Sequence, residues 1–129
     1  MFTPVIPQGA AKPIAPYVQG SKVGNVLYVA GTLAIGQNGE TLHVGDVKAQ
    51  TRYVIDQIIS VVEAAGGSVG DIAYNAIFLK NREDYAAFNE VYAEYFGDNP
   101  PARYCIIAEL VREEFLVEIA STAHLTDAP

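Results

Sequence analysis

The chain has 129 residues and a formal net charge of −7, with 50% of residues apolar and 18% charged. This fits one globular domain over residues 1–129 and excludes a disordered chain. Eight lysines and arginines are too few for the basic face that general nucleic-acid binding needs. No apolar run approaches the roughly 20 residues that span a bilayer, the N-terminus has no signal-peptide pattern, and a single cysteine excludes an internal disulfide framework and suits a reducing cytoplasm.

Residues 1–16 carry four prolines and read as extended coil. Residues 17–20 and 26–30 read as a hairpin across a turn-rich link, its second strand apolar on both faces. The Asn38-Gly39 pair marks a turn, and a short strand is expected near residues 41–44. From Asp46 the period becomes helical. Val47, Val54, Ile55, Ile58, Val61, Val62 and Ala65 form one stripe, with Asp46 as its cap and Gly66-Gly67 as its stop. Residues 73–79 form a strand that is apolar except for Asn75. A second helix is expected from a cap at Asn81, with Tyr85, Phe88, Val91, Tyr92, Tyr95 and Phe96 on its apolar face. Gly97 and the pair Pro100-Pro101 end it. Strands over 103–110 and 115–125 close the chain.

The fold class is therefore α+β, a mostly antiparallel or mixed six-stranded sheet with two helices on one face. Two helices cover only one side of a sheet, yet several strands are apolar on both sides. Self-association through the uncovered face is the economical explanation.

Arg103 stands two residues after a double proline, at the mouth of the apolar run that continues through Ala108. A guanidinium there is costly unless something anionic meets it. Its partner is either Glu118 or a neighbouring subunit, or else it anchors the carboxylate of a substrate. Cys105, two residues on, points the same way. It is a small buried residue, a pocket-lining thiol, or a nucleophile that would need a basic partner. Glu118 interrupts an apolar strand and is either neutralised by arginine or a general acid/base. Tyr17 is a core or interface aromatic, and Asn89 interrupts the second helix's apolar stripe and needs a hydrogen-bond partner there. His43 and His124 are isolated, so no metal is expected. The chain has no phosphate loop and no nucleophile elbow, and no cofactor is expected.

Four pieces together resemble the Rid family, the reactive-intermediate (enamine/imine) deaminases. They are APYVQG at residues 15–20, LYVAG at 27–31, Gln50-Thr51 with AAGG at 64–67, and PARYC at 101–105 with VEIA at 117–120. Within the family, Tyr104, GTL at 31–33 and HVGD at 43–46 make the chain most similar to the RutC-type 3-aminoacrylate deaminases of pyrimidine breakdown. The resemblance implies a chorismate-mutase-like fold and a cytoplasmic homotrimer, with active sites in clefts between subunits. It implies that Arg103 holds a substrate carboxylate, with Gly31 backbone, Tyr17, Asn89, Cys105 and the neighbouring Ala30 around it. Two positions depart from the family pattern. Ala30 stands where serine is frequent, and Ala120 stands where the resemblance implies a water-positioning glutamate. RutC-type chains share both changes, which implies a shifted specificity rather than lost activity.

The implied activity is hydrolysis of a small enamine or imine carboxylate. 3-Aminoacrylate would give malonate semialdehyde and ammonia. The alternatives are a general 2-iminopropanoate/2-iminobutanoate deaminase, a non-catalytic small-carboxylate-binding trimer, and a protein-interaction role. Neither nucleic acid nor membrane is expected as a partner.

Overall fold

Strand alternation decides which side of the sheet faces the helices. In the computed structural model, which describes residues 1–126, six strands appear: β1 (Thr3–Val5), β2 (Gly20–Val23), β3 (Val26–Thr32), β4 (Ile72–Leu79), β5 (Ala102–Ile107) and β6 (Val117–His124). Two helices, α1 (Val47–Ala64) and α2 (Tyr85–Phe96), accompany them. The sheet order is β1-β2-β3-β6-β4-β5. Every pairing is antiparallel except β4 with β5. That pair is parallel because α2 carries the chain back to the same end of the sheet, the connection parallel strands require.

Leu27, Val29, Ile77, Leu79, Val117, Ile119 and Ala123 point to one face and are buried there with Val54, Ile55, Ile58 and Val62 of α1 and Phe88 and Phe96 of α2. Asp46 caps α1 through its carboxylate, which accepts from the Ala49 amide at 3.0 Å. Gly66, at φ +90°, ends it, a conformation that glycine alone adopts freely. No helix among the described residues is long and apolar enough to cross a membrane.

Several sequence expectations are corrected. The first hairpin strand is Gly20–Val23, within the expected link, and not residues 17–20. The sixth strand is at the N-terminus and not near residue 41. Thr3–Val5 pairs with β2 on the sheet's edge, where Pro4 costs no ladder bond. Residues 41–44 contribute only an isolated bridge from Ile35 to Thr41, because His43 sits at φ +53°, outside strand geometry. Asn81 precedes a single 3-10 turn, Arg82–Asp84, and not α2 itself, which begins at Tyr85 after Asp84. The last two strands are shorter than expected, ending at Ile107 and beginning at Val117. The intervening loop leaves the sheet and buries Phe115 fully.

The opposite face of the sheet has no helix. It displays Tyr28, Tyr74, Tyr104 and Ile106, of which Tyr28 is 53% and Ile106 48% exposed. Tyr104 packs edge-on against Tyr74 and Phe78, with ring centroids 6.1 and 5.9 Å apart. An open sheet face this apolar and aromatic is unusual for a surface meant for water.

Candidate functional site

Arg103 lies on the helix-covered face at the outer strand β5. Its Nη2 donates to Asn89 Oδ1 at 2.9 Å and to the Tyr85 hydroxyl at 3.2 Å. The guanidinium carbon lies 4.6 Å from the Tyr92 ring centroid, 5.8 Å from that of Phe88 and 6.0 Å from that of Tyr85. Three aromatic faces therefore hold the cation, an attraction that grows where water is scarce. No carboxylate among the described residues pairs with it. The ion pairs there are Lys48 with Glu90 and Arg52 with Glu94, both on the surface of the helices. Asn89, Tyr92, Phe96, Pro100, Pro101 and Arg103 line an open hollow of about 310 Å³. The arginine thus lines this recess with its Nη2 held by Asn89 and Tyr85.

The reading of Arg103 and Glu118 as a salt bridge within one chain is overturned. Glu118 pairs with Phe78 on β4, and Phe78 pairs with Ile106 on β5. Arg103 is therefore two strand spacings across and three residues along, roughly 14 Å from Glu118 between backbones. The two side chains also leave opposite faces of the sheet.

Glu118 belongs to a second recess. A cleft of about 260 Å³ is lined by Ile14, Tyr17, Ala30, Gly31, Val111 and Glu118, among others. Gly31 lets the Glu118 carboxylate lie against the backbone there. A Cβ at that position would stand 2.3 Å from Glu118 Oε2, closer than any real contact. Burial raises the Glu118 pKa above the ordinary glutamate range, so its carboxyl holds a proton more readily than an exposed one. Ala120 shares the face of Glu118 and supplies no carboxylate.

Cys105 points to the same face as Arg103, as its spacing required, and packs against the edge of the core. Burial raises its thiol pKa, and the nearby Arg103 charge lowers it by less. The sulfur therefore stays protonated near neutral pH, which favours the small buried residue over the nucleophile. His43 lies edge-on to Tyr53 before α1, while His124 ends β6. No group of three metal-ligating side chains occurs among the described residues.

One chain thus brings Tyr17, Ala30, Gly31 and Glu118 together, and Arg103 with Asn89 together, but not the two sets. The aromatic cage of Tyr85, Phe88 and Tyr92 was not distinguished in the sequence from an ordinary core stripe. Two tyrosines among its members, one and two helical turns apart from each other and from Asn89, were the available signal.

The family model described as Endoribonuclease L-PSP matches residues 8–125. The chain is 47% identical over 121 residues to a protein of Acinetobacter baylyi named 3-aminoacrylate deaminase RutC, a match covering 94% of this chain and 96% of that one. Among solved structures, the YjgF gene product of E. coli is similar with a TM-score of 0.84 and 32% identity, over 95% of this chain and 98% of that one. E. coli TdcF with bound serine is similar with a TM-score of 0.85 and 30% identity, over 96% and 99%.

Proposed function

The chain belongs to the Endoribonuclease L-PSP family, the YjgF/Rid family, and from that premise we propose that it is a hydrolytic deaminase of small enamine and imine carboxylates. Its substrate is 3-aminoacrylate, its products are malonate semialdehyde and ammonia, and its setting is pyrimidine breakdown. The supporting relative is the Acinetobacter protein named for that activity. The observation that carries the reading is Arg103, a cation caged by aromatic rings and left without a carboxylate partner among the described residues.

The active site lies between copies of the chain in a homotrimer. A three-carbon acid cannot reach from Arg103 to Glu118 across one subunit. Packing of the uncovered aromatic faces brings the Arg103 recess of one copy to the Glu118 cleft of the next. Arg103 grips the substrate carboxylate through Nη1 and Nε, while Asn89 and Tyr85 hold Nη2. Gly31 backbone and Tyr17 shape the other wall. Glu118, readily protonated, delivers a proton to C2 of the enamine, and the double bond moves to carbon and nitrogen. Water then bonds to C3 and returns one proton to the Glu118 carboxylate; the remaining hydroxyl proton passes to nitrogen, C3 becomes a carbonyl, and the C3–N bond breaks to release ammonia. Such substrates already hydrolyse slowly in water. Positioning and fixed charge are enough to accelerate this step, with no strong nucleophile required.

The test is ammonia release from freshly generated 3-aminoacrylate, beside 2-iminopropanoate and 2-iminobutanoate. Arg103→Ala should lower kcat/KM by about a hundredfold, the worth of a paired charge-assisted grip. Equal rates in the two proteins would remove Arg103 from the reaction. A preference for the two imino acids would move the substrate to the general deaminase class, and serine binding without turnover would mark a binding protein.

A further inference from the structure

A buried polar cluster in an apolar core is costly unless fully satisfied, and this fold carries one that begins on the strand beside Arg103. Asn75 is fully buried on β4, in register with Arg103 on one side and Ser121 on the other. Ser121 Oγ donates to Asn75 Oδ1 at 2.5 Å, and Asn75 Nδ2 donates to the Tyr92 hydroxyl at 3.0 Å. Tyr92 is 7% exposed, and its ring is the nearest of the three around the guanidinium. That ring is flanked by Phe88 and Phe96, with centroids 5.5 and 4.6 Å away. Flanking rings limit its tilt. Only a bond to the hydroxyl pins it along its own long axis. Leucine, phenylalanine and alanine would fill the same three positions without any polar group, so core stability does not require the cluster.

We infer that Asn75 is a positioning residue for the carboxylate anchor. By holding the Tyr92 hydroxyl, it fixes the platform on which the Arg103 guanidinium rests, and so the direction in which that cation meets a carboxylate. The inference rests on the reading of Arg103 as that anchor, and it adds a residue outside the hydrogen bonds of the arginine side chain, which go to Tyr85 and Asn89.

Asn75→Leu alone would strand the hydroxyls of Tyr92 and Ser121 and endanger folding. Two other proteins decide the matter. Tyr92→Phe keeps the ring and removes its tether, leaving one buried donor, Asn75 Nδ2, without that acceptor. The triple variant Asn75→Leu/Tyr92→Phe/Ser121→Ala removes every polar group of the cluster at once. Both are compared with wild type for KM and kcat on 3-aminoacrylate, for L-serine affinity by calorimetry, and for Tm. The expected result is a KM raised about fivefold, the scale of one aromatic–cation contact, with kcat within about twofold and serine affinity weakened in parallel. A purely structural role predicts that any change follows Tm, so wild-type KM and serine affinity in either variant overturn the inference. A wild type that neither hydrolyses 3-aminoacrylate nor binds serine overturns the site reading itself, and the inference with it.

Discussion

Glu118 is where a single side chain carries the largest consequence. Its carboxyl lies against Gly31, and burial raises its pKa. The folded protein therefore binds this proton more tightly than the unfolded chain does. That contribution to stability is complete below the ordinary glutamate range and is lost as pH rises through the raised value. Glu118→Gln is neutral at every pH, so its Tm should rise relative to wild type as pH increases, and the gap should close on acidification. If Glu118 is the proton donor, kcat of wild type falls as pH rises through the same value. In Glu118→Gln, kcat should be about a hundredfold lower and that falling limb should vanish. A limb that persists in the variant excludes Glu118 as its source. The residues of this site were legible in the sequence as types, and their grouping was not. Two-residue spacing correctly put Cys105 beside Arg103, because parity within one strand is local. Parity between β5 and β6 is set by the loop that joins them, and no period in the sequence encodes it. A bridge from Arg103 to Glu118 was therefore an open reading until the fold put them on opposite faces.

That loop is held by one buried residue of α1. Gln50 is fully buried, and its Nε2 donates to the carbonyls of Leu42, His43 and Glu114 at 3.3, 3.3 and 3.0 Å. Its Oε1 accepts from the Leu116 amide at 2.9 Å. Arg112 adds a second tie, donating to the Gly39 carbonyl at 2.8 Å and resting 5.3 Å from the Phe115 ring centroid. The helix thus clamps the segment before it to the segment before β6, and the second of these carries Val111 to the Glu118 cleft. Gln50→Leu preserves the volume and takes this partner from the Leu42 and Glu114 carbonyls and the Leu116 amide, while the His43 carbonyl keeps the Asp46 amide, a cost of about 3 kcal/mol. Thermal unfolding should show Tm lower on the order of 10 °C, with kcat/KM falling as the Val111 wall loosens. An unchanged Tm would show that backbone alone holds both segments. The helices themselves were plain in the sequence, since an eighteen-residue stripe with a cap and a glycine stop leaves few alternatives. The short elements were not. A three-residue edge strand containing Pro4 has too few residues to show a period. The alternation around residues 41–44 is overridden by the left-handed turn at His43 and by the grip of Gln50.

At the scale of the whole molecule, the proposed assembly gives the Arg103 recess, the Glu118 cleft and the uncovered aromatic face one common partner, a second copy of the chain. The net charge of −7 sets this apart from a phosphate-binding surface, and the half-sites are each built for something small. If every site draws Arg103 from one subunit and Glu118 from the next, two inactive proteins can repair each other. Arg103→Ala and Glu118→Gln would be unfolded together in urea at equal amounts and refolded, then assayed on 3-aminoacrylate against each variant refolded alone. Each site then receives its two halves independently, so roughly a quarter of the sites unite an intact arginine with an intact glutamate, and roughly a quarter of wild-type activity should return. The fraction follows from sharing alone and does not depend on how many subunits close the ring. A mixture no more active than the mean of its two components would place both groups within one subunit's reach. The roughly 14 Å between their backbones, on opposite faces of one sheet, argues that it will not.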